Sequence, residues 1–204
     1  MRCLFIIVAL ILVSCDSGNI YFNSGFGWRF TVKNSSIERT DTLSLSEGDF
    51  WYPKLKWDLK VENGGYAVEK LFTDNSEMIK LPSPFGFYLN KIELVPHPEI
   101  HFPINTGDSY ESNYKADSQD KSVDNLNVEG TLIVVGKVLF GKGLLKDSSW
   151  VINAEGNSSK GKFTSTYYFH EKYGFVYFKY YLGKDTIEIE LNQFSVTEEW
   201  KSKQ

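Results

Sequence analysis

FTSTYYFH (Phe163–His170), FVYFKYYL (Phe175–Leu182) and TIEIELNQF (Thr186–Phe194) follow one another closely near the C-terminus, and their reading decides the fold. The third alternates apolar Ile187, Ile189 and Leu191 with Glu188 and Glu190, the period of two that places one side of a strand in a core and the other in water. Gly174 interrupts the run between the first two segments, and Gly183-Lys184-Asp185 interrupts it between the last two, so three strands joined by short turns are expected. Upstream, Leu126–Phe140 and Ser149–Ala154 continue the pattern. In the first half, Trp28–Lys33 alternates, and Leu55, Trp57, Leu59 and Val61 share a face opposite Lys56, Asp58 and Lys60. Asn63-Gly64 then supplies a hairpin signal before Tyr66–Phe72. Phe87–Val95 and Ser109–Lys115 are further candidate strands.

No stretch of ten residues holds a 3.6-residue period, and the one helical candidate is a short segment at Ser76–Leu81. The expectation is therefore an all-β protein of about 8–11 antiparallel strands. The strands form a curved sheet, a half-barrel or a sandwich, between which alternation does not choose. The polar stretch Ala116–Asn125 reads as a solvated loop or as a linker between halves. No internal repeat is seen.

Composition narrows the function. The 204 residues are 42% hydrophobic and 24% charged, the balance of a folded domain. A net charge of −4 gives no basic footprint, so a nucleic-acid partner is not expected. At the N-terminus, Arg2 precedes an apolar run from Leu4 to Val13 that is too short to span a bilayer as a helix. Leu12-Val13-Ser14-Cys15 resembles the lipobox of bacterial lipoproteins. The resemblance implies cleavage after residue 14, palmitate or similar acyl chains on Cys15, and a single lipid-anchored β domain over 15–204 behind a flexible N-terminal tether. Residues 15–204 lose only Arg2 from the charge balance, so their net charge is −5. Cys3 is the other cysteine, so this domain would hold no disulfide, thiol nucleophile or thiolate metal site. Asp16 resembles the inner-membrane retention residue of enteric lipoproteins, whereas the Asn, Lys and Tyr content resembles that of Bacteroidota proteins. The lipobox resemblance thus implies localisation to the bacterial cell envelope, with membrane and leaflet left open.

Two constellations carry the candidate chemistry. In His97-Pro98-Glu99-Ile100-His101 an extended chain would project His97, Glu99 and His101 to one side, a ligand set that zinc accepts. Pro96, Pro98 and Pro103 favour the plainer reading of a solvated connector or edge segment. The second is the aromatic run. On the simple alternation, Phe175, Tyr177, Lys179 and Tyr181 share one face, and Val176, Phe178, Tyr180 and Leu182 the other. Such a strand is either packed on both sides or lines an apolar cavity or partner surface, with Phe169, Phe175, Tyr177, Phe178 and Tyr180 as candidate wall residues. There is no Gly-x-Ser-x-Gly elbow, His-Glu-x-x-His or phosphate loop, so neither enzymatic activity nor a cofactor is expected. Glu188 and Glu190 read as a wet strand face.

Gly136-Lys137-Val138, Gly143-Leu144-Leu145 leading to Trp150-Val151-Ile152, Tyr167-Tyr168-Phe169 and Tyr173-Gly174-Phe175-Val176 together resemble bacterial envelope proteins with a curved antiparallel sheet. Those are themselves similar to LolA/LolB-type lipoprotein carriers. The resemblance covers the C-terminal third and implies a half-barrel around a hydrophobic groove, without the helical plug of the carriers. The expected function is non-enzymatic binding of an apolar ligand or envelope component through the aromatic face. The alternatives are a structural or assembly lipoprotein that engages a protein partner and, behind both, a metal-dependent enzyme.

Overall fold

The computed structural model describes residues 26–34, 37–47, 54–61, 64–82, 85–86, 92–93, 96–116, 126–142, 146–158, 161–182 and 185–196. Residues 1–25, which include the expected leader, Cys15 and the expected tether, lie outside them, as do most of Phe87–Val95 and the polar stretch from 117 to 125. The described residues form strands and connections without a helix, and every strand pairing is antiparallel.

The first four strands, β1 (Phe26–Asn34), β2 (Ile37–Glu47), β3 (Lys54–Val61) and β4 (Gly64–Leu71), form one meander. A long connection follows, bearing the short strands β5 (Thr73–Asp74), β6 (Met78–Lys80), β7 (Phe85–Gly86), β8 (Ile92–Glu93) and β9 (Glu99–His101). A second meander then runs through β10 (Ser109–Ala116), β11 (Leu126–Phe140), β12 (Asp147–Ser158), β13 (Gly161–His170), β14 (Gly174–Leu182) and β15 (Asp185–Val196). The two meanders join where β1 pairs with β15, which gives one ten-stranded sheet in the order β10-β11-β12-β13-β14-β15-β1-β2-β3-β4.

The sheet is curled. Trp57 on β3 and Phe178 on β14 are four strands apart, about 19 Å in a flat sheet, yet their ring centroids are 6.0 Å apart. Phe30 on β1 lies 5.8 Å from Trp57 and 5.7 Å from Phe178, between them. The concave face carries the core: Trp28, Phe30, Val32, Leu132, Val134, Ile152, Tyr167, Phe169, Phe178, Ile187 and Ile189 are all buried there. Edges β4 and β10 bound an open sheet, not a barrel.

Because β4 and β10 are opposite edges, the connection between them has the whole sheet to cross, and it does so over the concave face. Phe72, Ile79, Leu81 and Ile100 from this connection belong to the same core as the sheet residues. The cover is a small sheet, β5-β6-β9, stitched down by hydrogen bonds. Trp57 donates its indole N–H to Pro82 O at 2.9 Å, and the Tyr167 hydroxyl donates to Pro96 O. Pro96 itself sits over Gly130 and Gly156, which face each other across β11 and β12; a Cβ on either would approach its ring to 3.2 and 3.3 Å.

Two expectations fail in this cover. Ser76–Leu81 is not helical: Asn75 Oδ1 accepts the N–H groups of Glu77 and Met78 at 2.9 and 2.8 Å, bonds a helix cap would also make. Here they close a turn, because the Asn75 N–H donates to Met78 O and β6 is drawn into pairing with β9. Nor is the proline-flanked segment solvated. Residues 96–100 are all buried: Pro98 O accepts the Leu81 N–H at 3.0 Å, Pro96 O accepts the Tyr167 hydroxyl, and Glu99–His101 pairs with β6.

Candidate functional site

The aromatic residues of β13 and β14 are brought together, but on two faces. A bulge falls in their pairing: Phe169 opposes Phe175 and Tyr168 opposes Tyr177, which leaves Val176 as the extra residue. The bulge reverses the phase of alternation, so Phe175 joins Phe178 and Tyr180 on the concave face and Tyr177 points to the other. The expected grouping of Phe175 with Tyr177 is corrected accordingly. Gly174 opens the strand at φ 72, the left-handed backbone that favours glycine.

Phe169, Phe175, Phe178 and Tyr180 are 0–1% exposed. Phe169 and Phe175 lie 5.3 Å apart at 72°, Phe175 and Phe178 6.0 Å apart, and Phe102 of the cover closes on Phe169 at 6.0 Å. Tyr167 stands among them, 5.7 Å from Tyr180, and burial holds its phenol well above the usual tyrosine range. Tyr177 packs on the opposite face with Tyr168 at 5.0 Å and Phe140 at 5.1 Å. Burial first, then the nearby Glu188 carboxylate, raises its phenol pKa. Glu188 is also held by Lys179 at 2.8 Å, the contact that does most to raise the lysine pKa. The wet-face reading of Glu188 therefore becomes a paired charge on a half-covered face.

Of His97, Glu99 and His101, the last two are in direct contact. Glu99 is buried and takes Lys80 Nζ and His101 Nε2, each at 2.7 Å. His101 stacks on Tyr110 at 4.0 Å and 12°. His97 borders a recess of about 130 Å³ with Phe72, Thr73, Lys80 and Pro82. Among the described residues no group of three or more His, Cys, Asp or Glu side chains is placed to hold a metal ion.

His170 is the remaining histidine. Its Nδ1 accepts the Lys172 N–H at 2.9 Å, so in the neutral ring the proton sits on Nε2, 3.4 Å from Asp147 Oδ2. Asp147 is held below the usual carboxylate range, first by the Ser148 N–H and then by His170. Ser149 and His170 each lie one residue beyond the paired Trp150 and Phe169, and both are buried. With Nδ1 occupied and Nε2 protonated, however, no ring nitrogen is free to take a serine proton. The arrangement orders the turn at 171–173.

Away from the core, the opposite face of β10–β12 carries a groove of about 720 Å³ lined by Glu111, Asn113, Glu129, Thr131, Ile133, Val135, Asn153, Glu155 and Asn157, with Gly130. Cross-strand pairing sets carboxylates beside amides and hydroxyls: Asn113 opposes Glu129, which opposes Asn157, and Glu111 opposes Thr131, which opposes Glu155. Lys162 reaches Glu155 at 2.7 Å. Ile133 and Val135 are 46% and 51% exposed on this face. The sequence reading passed over these residues. The signal was present in Leu132-Ile133-Val134-Val135, an unbroken apolar run that has to turn half its side chains away from a one-sided core.

No protein-family model matches the chain, and no curated protein matches it either.

Proposed function

We propose that this chain is a non-enzymatic envelope lipoprotein, anchored through acyl chains on Cys15, which holds an extended basic segment of a partner protein on the outer face of β10–β12. One observation carries the choice of surface. Four of the five candidate wall residues are sealed in the core, whereas Ile133 and Val135 are open in a groove rimmed by Glu111, Glu129 and Glu155. A ligand held between Phe169, Phe175, Phe178 and Tyr180 would have to part side chains already packed on one another. The rim carboxylates favour lysine or arginine over acidic partners, and the edge strand β10 beside the groove suits a segment in extended form.

The test is binding of a synthetic extended peptide of alternating Lys and Val to the chain from residue 16, with an alternating Glu and Val peptide as control. The basic peptide is expected to bind at least about tenfold more tightly, to weaken as salt rises, and to lose affinity in Glu129→Lys. Equal affinity for both peptides, or no effect of Glu129→Lys, refutes this surface. A reproducible lipid mass on solvent extraction of the purified chain would instead favour an apolar ligand.

A further inference from the structure

β10 forms one edge of the large sheet, and its pairing with β11 fixes which of its backbone groups face outward. Val134 donates its N–H to Asp108 O at 2.9 Å, so Asp108 and Val134 stand as a hydrogen-bonded pair just before the strand begins. The register then continues from Ser109 opposite Ile133 to Ala116 opposite Leu126 without a shift. Antiparallel ladders alternate bonded and non-bonded pairs, so Tyr110 and Ser112 direct their backbone groups at Leu132 and Gly130. The position of Ser112 O agrees, since it lies 3.4 Å from where a Cβ on Gly130 would stand. Ser109, Glu111 and Asn113 fall in the non-bonded pairs, and their N–H and C=O groups point away from β11. Among the described residues no strand pairs with that side of β10.

Side chains sort by the same alternation. Glu111 and Asn113 are exposed on the groove face, whereas Ser112 is buried and Tyr110 is half-buried, its ring 4.0 Å from that of His101 in the cover. Neither a proline nor a bulge, the usual devices that blunt an edge, interrupts Ser109–Ala116. A strand laid about 4.8 Å beyond β10 would therefore continue the ladder. Its residues opposite Glu111 and Asn113 would share the groove face, and those between them would lie on the Tyr110 side. On the groove face one rank runs Glu111, Thr131, Glu155, and the next runs Asn113, Glu129, Asn157. Lys162 takes Glu155 at 2.7 Å, and among the described residues no cation is paired with Glu111 or Glu129.

We propose that the basic partner segment is held as an eleventh strand, antiparallel to β10, with its main chain bonded to Ser109, Glu111 and Asn113. Lysine or arginine at alternate positions then stands beside Glu111 and Asn113, the second reaching toward Glu129, and apolar residues between them pack toward Tyr110. The inference rests on the groove reading above for the charge of the segment, whereas the hydrogen-bonded edge does not depend on that charge. Antiparallel addition continues the pairing of the whole sheet. It also makes the lysines, not the residues between them, the ones whose N–H and C=O groups face β10.

The experiment offers the full chain three forms of the alternating Lys and Val peptide: unmodified, N-methylated at the lysine amides, and N-methylated at the valine amides. Methylation at lysine removes the donors that face β10 and is expected to weaken binding at least about tenfold. Methylation at valine, whose amides face away, should change it by less than about threefold. Hydrogen exchange of the peptide-bound chain should show new protection at the amides of Ser109, Glu111 and Asn113. Loss confined to the valine-methylated peptide would mean parallel pairing and overturns the strand as proposed. Equal effects of the two methylations, or no new protection at Glu111 and Asn113, overturn addition at the edge and leave the groove reading to the comparison of charges. The alternating Glu and Val peptide makes that comparison. If it binds as tightly as the basic peptide, the groove reading fails, yet protection of the Glu111 and Asn113 amides by either peptide still supports the edge; protection by neither overturns it.

Discussion

Phe178 shows how much one side chain holds together. Its ring lies within 6.2 Å of Phe30, Trp57, Tyr167 and Phe175, which belong to both meanders. Truncating it would remove the contact through which the curled sheet meets itself. Phe178→Ala is expected to cost about 3–5 kcal/mol, because a packed aromatic core collapses only partly into the space left. Leu139→Ser should change stability by less than about 0.5 kcal/mol, since that side chain faces out. Urea unfolding of both variants checks the pair, and similar losses would mean that the burial pattern is misassigned. Tyr177, one residue away from Phe178, faces the other side of the sheet, so substitutions there should perturb the Tyr168–Phe140 cluster and leave the core intact.

At the scale of elements, the long strands were legible in the sequence because a one-sided core imposes a period of two. Trp28, Phe30 and Val32, and Ile187, Ile189 and Leu191, point inward as their alternation requires. β2 was not seen, since Ile37–Glu47 is mostly Ser, Thr and charged residues and is recruited by neighbours on both sides. The bulge at Val176 was equally hidden: an extra residue shifts phase without any change in composition. The cover was misread most. Its prolines suggested solvent, but Pro96 is accepted by two facing glycines, an arrangement between distant segments that no local pattern encodes. Gly156→Ala would bring a Cβ to 2.7 Å from Val128 Cγ1 and 3.3 Å from Pro96 Cγ. It is expected to destabilise by about 1–3 kcal/mol, the cost of overpacking. Adding Pro96→Ala should recover part of that loss, with a coupling of at least about 0.5 kcal/mol in a double-mutant cycle. Strict additivity would show that Pro96 does not press on the sheet.

For the whole molecule, the decisive feature is the pairing of β1 with β15. It places the first and last described strands side by side in the interior of the sheet, with edges formed by strands from the middle of the chain. The candidate contacts then distribute by location: core within, polar groove on the outer face of β10–β12. The pairing also governs timing. β11–β14 are joined by short connections and can zip sequentially, whereas β1 has to wait for a partner about 160 residues away, a contact with a high cost in chain entropy. Pulse-labelled hydrogen exchange during refolding should therefore protect amides of β12 and β13 before those bonded between β1 and β15; simultaneous protection would show that the long-range pairing belongs to the nucleus. Until β15 is made, the N-terminal meander has one edge, at β1, with nothing to close it. On a ribosome β15 emerges after every other described strand, so the sheet cannot close at its centre until that strand is out.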